Sequence, residues 1–143
     1  MCGVLIALIS GALMSVQGVF NTQVTKETSL WVSSGWVQLT AFLVCVLAWF
    51  WEGRPELGTL MTVRPRYLLL GGVLGAFITI TVVKSMSTLG PAQAAILIVV
   101  SQLAVAYGIE LLGLFGVGHQ PFLFRKLLGL LIAIVGIVLF RWE

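Results

Sequence analysis

The sequence predicts an all-α integral membrane protein with five transmembrane helices per chain. Three observations lead there. Of 143 residues, 59% are hydrophobic and only 9% are charged, whereas soluble domains carry about 25% charged residues. The apolar residues gather into five runs, Gly3–Val24, Leu30–Trp51, Tyr67–Ser87, Ala92–Leu114 and Phe122–Phe140, each close to the roughly 20 residues a helix needs to cross about 30 Å of hydrocarbon. The short alternating segments of a closed barrel are absent. Backbone groups in lipid must then be paired within each run, which requires helices. The whole chain, 1–143, reads as a single transmembrane domain.

The first run has a polar face. At 100° per residue, Gly3, Ser10, Met14, Gln17 and Asn21 lie together, beside a small-residue ridge of Ala7, Gly11, Gly18 and Thr22. Small ridges let helices approach closely, and Gln or Asn can hydrogen-bond across the contact. Gln17 and Asn21 therefore have two readings: glue between helices, or lining of a binding cavity. The run lacks a basic n-region and a small-residue cleavage site, and is expected to be a retained span rather than a signal peptide.

Thr25–Ser29 reads as a short polar turn. The second run places Trp31 at one end and Trp49 and Trp51 at the other, as interfacial belts do. Gln38 and Thr40 are its central polar residues, and Gln38 reads first as a helix contact. In the loop Glu52–Arg66, Pro55 and Glu56 can start a short interfacial helix, and Pro65 stops such structure before the third run.

The third run carries Gly71, Gly72 and Gly75 ahead of Thr79, a column suited to tight packing. Lys84, about one turn from its end, either snorkels to the interface or serves as a charge partner for Glu110 or for an anionic substrate. An intrachain pair with Glu110 would join opposite membrane faces; in an antiparallel dimer, Lys84 of one copy would share a level with Glu110 of the other.

The fourth run begins with Pro91, suited to a first helical position. One stripe holds Ala92, Ala95, Val99, Gln102, Ala106, Glu110 and Gly113. Polar and ionisable residues within a span are costly and by default face a pathway or a partner. Gln102 and Glu110 are hence candidate cavity residues, with an interfacial Glu110 as the alternative. The fifth run opens with Arg125 and Lys126, repeats small residues at Gly129, Ala133 and Gly136, and closes with Arg141 and Trp142 as interfacial anchors. The glycines expected in helix packing are Gly11, Gly18, Gly72, Gly75, Gly129 and Gly136.

Five spans put the termini on opposite sides. Arg54, Arg64, Arg66, Arg125 and Lys126 fall on the N-terminal side, against Lys26, Lys84 and Arg141 on the other. The positive-inside rule then favours a cytoplasmic N-terminus by a narrow margin. So weak a bias permits insertion in both orientations. Two copies could pair antiparallel into a ten-helix inverted repeat, the arrangement many transporters use for alternating access.

Other chemistries find little support. The net charge of +3 is dispersed, with no basic cluster for nucleic acid. Cys2 and Cys45 fit no metal or redox spacing, and His119 is a lone loop histidine. No nucleophile–base pair or metal cluster is evident, so no enzymatic role, no metal and no cofactor is expected.

The segments K-S-M-S-T-L-G-P-A-Q-A-A-I-L-I-V-V-S-Q (84–102) and R-K-L-L-G-L-L-I-A-I-V-G-I-V-L-F (125–140) resemble the drug/metabolite transporter superfamily. With G-A-L-M-S-V-Q-G-V-F-N (11–21), E-L-L-G-L-F-G-V (110–117) and the chain length, the sequence looks most like the small YdcZ-type inner-membrane exporters. The likeness covers nearly the whole chain and rests on order and spacing rather than on one motif. It implies a bacterial inner-membrane transporter of a small organic solute or metabolite, assembled from two five-helix units, a second copy or a related subunit. Larger relatives have ten helices in two inverted halves. The related small multidrug-resistance transporters carry a glutamate in helix one for protons and cationic substrate; loosely aligned, that place here is Gln17. A glutamine does not titrate, which leaves Glu110 as the candidate acid.

The resulting expectation is a cavity lined by helices one, three and four, where Gln17, Asn21 and Gln102 hydrogen-bond a small polar solute and Glu110 neutralises a cation or accepts a proton. The alternatives are a non-transporting membrane interaction subunit and a narrow pore.

Overall fold

The computed structural model describes residues 2–141, without the side chain of Arg141; Trp142, paired above with Arg141 as an anchor, lies outside the described residues. Five α-helices follow one another: α1 (Cys2–Glu27), α2 (Leu30–Trp51), α3 (Gly71–Leu89), α4 (Pro91–Leu112) and α5 (Phe124–Arg141). No strand occurs among the described residues. The chain divides into two compact units, Met1–Thr88 and Leu89–Glu143.

Four of the helical stretches, Cys2–Glu27, Leu30–Trp51, Arg66–Leu89 and Pro91–Leu112, are long and apolar enough to cross a membrane. The 18-residue α5 is not among them. It contains Arg125, Lys126 and Arg141, and at about 1.5 Å per residue it reaches only about 27 Å.

Helix ends depart from the predicted runs for local reasons. The predicted turn at Thr25–Ser29 shrinks, because α1 continues to Glu27. The hydroxyls of Thr22, Thr25 and Thr28 donate to the carbonyls of Gly18, Asn21 and Val24, at 2.7, 2.8 and 2.7 Å. Each hydroxyl is thus satisfied without breaking the helix. Ser29 then caps α2, its hydroxyl accepting from the Val32 N–H at 3.3 Å, which occupies one of the free donors of a first turn.

After α2, the Trp49 indole N–H donates to the Pro55 carbonyl at 2.9 Å. Trp31 and Trp51 stand exposed at opposite ends of the helix, as interfacial tryptophans do. The interfacial helix read from Pro55–Glu56 is a 3₁₀ helix, Leu57–Thr62. Arg66–Leu70 also winds as 3₁₀, so α3 begins at Gly71 rather than Tyr67.

In the first unit most of the buried positions are small or polar. Gly18, Asn21 and Thr22 of α1 are buried, as are Ser33 and Ser34 of α2 and Val83 and Met86 of α3. The Ser33 hydroxyl donates to the Asn21 carbonyl at 3.0 Å and ties α1 to α2. A Cβ built on Gly18 would lie 2.6 Å from both the Sδ and Cε of Met86, so the absent side chain lets α3 approach α1. At Gly75 a Cβ would meet Gln38 Nε2 at 3.9 Å, whereas at Gly11, Gly72, Gly129 and Gly136 it would meet nothing within 4 Å. Leu8, Phe20, Phe42, Leu47, Phe77 and other large apolar side chains are exposed, as lipid-facing helices require.

In the second unit α4 ends at Leu112, two residues before the predicted boundary, with Gly113 as its cap. Gly113 is left-handed (φ +62) and its N–H donates to the Ile109 carbonyl. A side chain there would be strained by that φ, although the nearest atoms, of His119 and Val117, leave room for a Cβ. The predicted fifth run opens two residues early, since α5 starts at Phe124.

Candidate functional site

Two cavities hold most of the polar residues singled out by the sequence, one in each unit. In the first unit, Met14, Gln17, Gly18 and Asn21 of α1 face Ile78, Thr79 and Val82 of α3 around about 50 Å³. Positions 14, 17, 18 and 21 form one face of a helix, as do 78, 79 and 82. The small volume follows from Gly18, which brings the helices together.

Asn21 is only 9% exposed. Its carbonyl accepts from Thr25 and Ser33, but its side-chain amide has no hydrogen-bond partner among the described residues. Gln17, one turn away, is exposed. The Thr79 hydroxyl donates to the Gly75 carbonyl at 3.0 Å, so its oxygen can still accept. The cavity therefore presents amide donors and acceptors without an ionisable side chain.

In the second unit, Leu103, Ala106, Tyr107 and Glu110 of α4 face Lys126, Gly129 and Leu130 of α5 around about 470 Å³. Lys126 Nζ donates to Glu110 Oε2 at 2.7 Å. The two side chains are 43% and 41% exposed, and among the described residues they form the one ion pair. Lys126 Nζ also lies 5.4 Å from the centre of the Tyr107 ring, within the range of cation–π attraction.

The Tyr107 hydroxyl accepts from the Leu123 N–H at 3.0 Å and lies 3.2 Å from the Leu123 carbonyl, to which it donates. The Gln120 N–H donates to the Glu110 carbonyl at 2.9 Å. The turn from α4 to α5 is thus pinned at three points, two of them on Glu110.

The predicted site residues separate accordingly. Gln17 and Asn21 come together in the first unit, and Glu110 lies in the second. Gln102 is exposed and lines neither cavity. Lys84 is exposed near the end of α3 and has no ion pair among the described residues, where Glu110 is paired with Lys126 instead. Sequence reasoning placed Thr79 only in a packing column and did not reach Tyr107 or the role of Lys126. The signal for Lys126 was present: an acid in the last turn of one helix and a base in the first turn of the next flank a single turn.

The model of the DMT_YdcZ family, described as "Putative inner membrane exporter, YdcZ", matches residues 2–139. The chain belongs to this family. Like the family description, its four long apolar helices mark a multi-pass inner-membrane protein. Comparison with curated proteins and with solved structures gave no match. For this YdcZ-family chain, the family supports a transport role.

Proposed function

We propose that the chain is one half of a secondary transporter that exports a small organic solute by alternating access. A second copy of itself, or a related subunit, supplies the other half in antiparallel orientation. In this reading α5 is the fifth crossing. Its basic residues sit at its ends, where long side chains snorkel to headgroup water.

The observation that carries the reading is Asn21. Its side-chain amide makes no hydrogen bond among the described residues and lines a cavity with Gln17 and Thr79, so its donors and acceptor are open to a solute. About 50 Å³ admits a water or two, each occupying about 30 Å³ in the liquid. An organic solute needs more room, which movement of the α1–α3 contact or the walls of a second chain would provide. The exposed apolar faces and the open space at Gly11, Gly72, Gly129 and Gly136 suit such a partner. Glu110 then acts at the rim, where its ion pair opens or closes with the helix ends.

The test is reconstitution in liposomes, with a panel of small solutes screened by solid-supported-membrane current and by tracer flux. Wild type should carry at least one solute, and Gln17→Ala and Asn21→Ala should lose that flux while cross-linking still captures the dimer. Unaltered flux in both variants would reject the cavity assignment. Fast flux insensitive to counter-substrate would indicate a pore, and no flux of any solute would favour an interaction subunit.

A further inference from the structure

We propose that the cavity between α4 and α5 binds a zwitterionic phospholipid, one whose head carries a phosphate and a primary ammonium. This inference stands on the second unit alone and does not require the transport reading.

The cavity is graded. Its charged end, Glu110 and Lys126, lies within a turn of the facing helix ends, Leu112 of α4 and Phe124 of α5. Its apolar end, Leu103 and Leu130, lies deeper along both helices; Leu103 is about 10 Å below Glu110 at the helical rise. Ala106 and Gly129 leave the space between. In a bilayer that order is head at the interface and tail in hydrocarbon. The volume of about 470 Å³ is within the range of small-molecule sites, about 300–1,000 Å³.

The hydrogen-bonding capacity of the ion pair selects the head. Lys126 uses one N–H on Glu110 Oε2, and an ammonium has three donors, so two remain. Glu110 Oε1 accepts no hydrogen bond among the described residues. The pair is neutral but has unused donors on one side and an unused acceptor on the other. A phosphate would take the Lys126 donors, and an ammonium on the same head would donate to Glu110 Oε1. A singly anionic head would fill only the first role and would set its phosphate beside a carboxylate. Tyr107 does not compete, because its hydroxyl is committed to Leu123.

The experiment uses the purified full chain, stripped of lipid in detergent. It is offered phosphatidylethanolamine or phosphatidylglycerol of identical acyl chains, and retained lipid is counted by native mass spectrometry. Phosphatidylethanolamine should be retained with about tenfold preference, the equivalent of one good polar contact. Glu110→Ala, which removes the acceptor for the ammonium, should abolish the preference, while Lys126→Met should weaken retention of both lipids, whose phosphates share its donors. Gly129→Leu should reduce retention of both lipids by filling the groove, with Gly129→Ala as a milder second variant; helix content and a single elution peak verify folding. Equal retention of the two lipids, preference for phosphatidylglycerol, or an unchanged preference in folded Glu110→Ala would each overturn the proposal. So would displacement of the lipid by equimolar free phosphoethanolamine, which would assign the site to a soluble zwitterion.

Discussion

Lys126 Nζ stands 2.7 Å from Glu110 Oε2, joining residues sixteen positions apart across the turn between α4 and α5. The pair is about two-fifths exposed on each side, so its worth is bounded by that of exposed pairs, about 0–1 kcal/mol. Glu110→Gln and Lys126→Met should each lower stability by no more than about 1 kcal/mol. The double variant should be little worse than either. A double-mutant cycle read by fluorescence-detected thermal unfolding checks this; a coupling well above that bound would show that the pair is buried in the assembled protein.

Tyr107→Phe should loosen the turn more specifically than it lowers stability. The hydroxyl serves both the N–H and the carbonyl of Leu123, and removing it returns both to solvent at a cost of about 1 kcal/mol. Hydrogen exchange at Leu123 should accelerate while exchange in the middle of α4 is unchanged. Unchanged exchange at Leu123 would mean that the clamp does not persist in the membrane.

Ser33 and Ser34 are adjacent and buried, yet should respond oppositely. Ser33 donates to the Asn21 carbonyl at 3.0 Å, so Ser33→Ala should cost about 0.5–1.5 kcal/mol. The Ser34 hydroxyl is buried without a partner among the described residues, so Ser34→Ala should be neutral or stabilising. Thermal stability of the two variants in one detergent decides it, and equal losses would count against the assigned bond.

Gly18 should tolerate alanine better than leucine. A Cβ there presses on the end of the flexible Met86 side chain, which can move aside. A leucine exceeds the space and should cost about 1–3 kcal/mol through overpacking. Met86→Ala should restore part of the loss in Gly18→Leu, as judged by size-exclusion recovery after heating. No rescue would place the clash elsewhere.

Topology can be read directly. In a version lacking Cys2 and Cys45, single cysteines at each terminus should be labelled from both sides of the membrane if the chain inserts both ways. Labelling confined to opposite sides would give five crossings with fixed orientation. Labelling of both termini from one side would give four crossings and leave α5 out of the span.

The sequence by itself determined the membrane setting, the helical class, and most of α1 to α4. Twenty-odd apolar residues in lipid have few alternatives to a helix, and that constraint is local. α2 was legible to the residue because Ser29 caps it and Glu52 begins a polar loop. The short α5 was less legible, since its flanking charges suit either a span or a surface helix. The polar face of Gln17 and Asn21 was also legible, because it follows from a 100° step. What the sequence left open was the partner of each polar group. Periodicity assigns a residue to a face but not to a neighbour, so Gln102 and Glu110 shared a predicted stripe while only Glu110 lines the α4–α5 cavity. Tertiary structure decided that Glu110 meets Lys126 and that Asn21 keeps its amide free at a cavity wall, because distances across a turn or between helices depend on packing rather than on spacing along one helix.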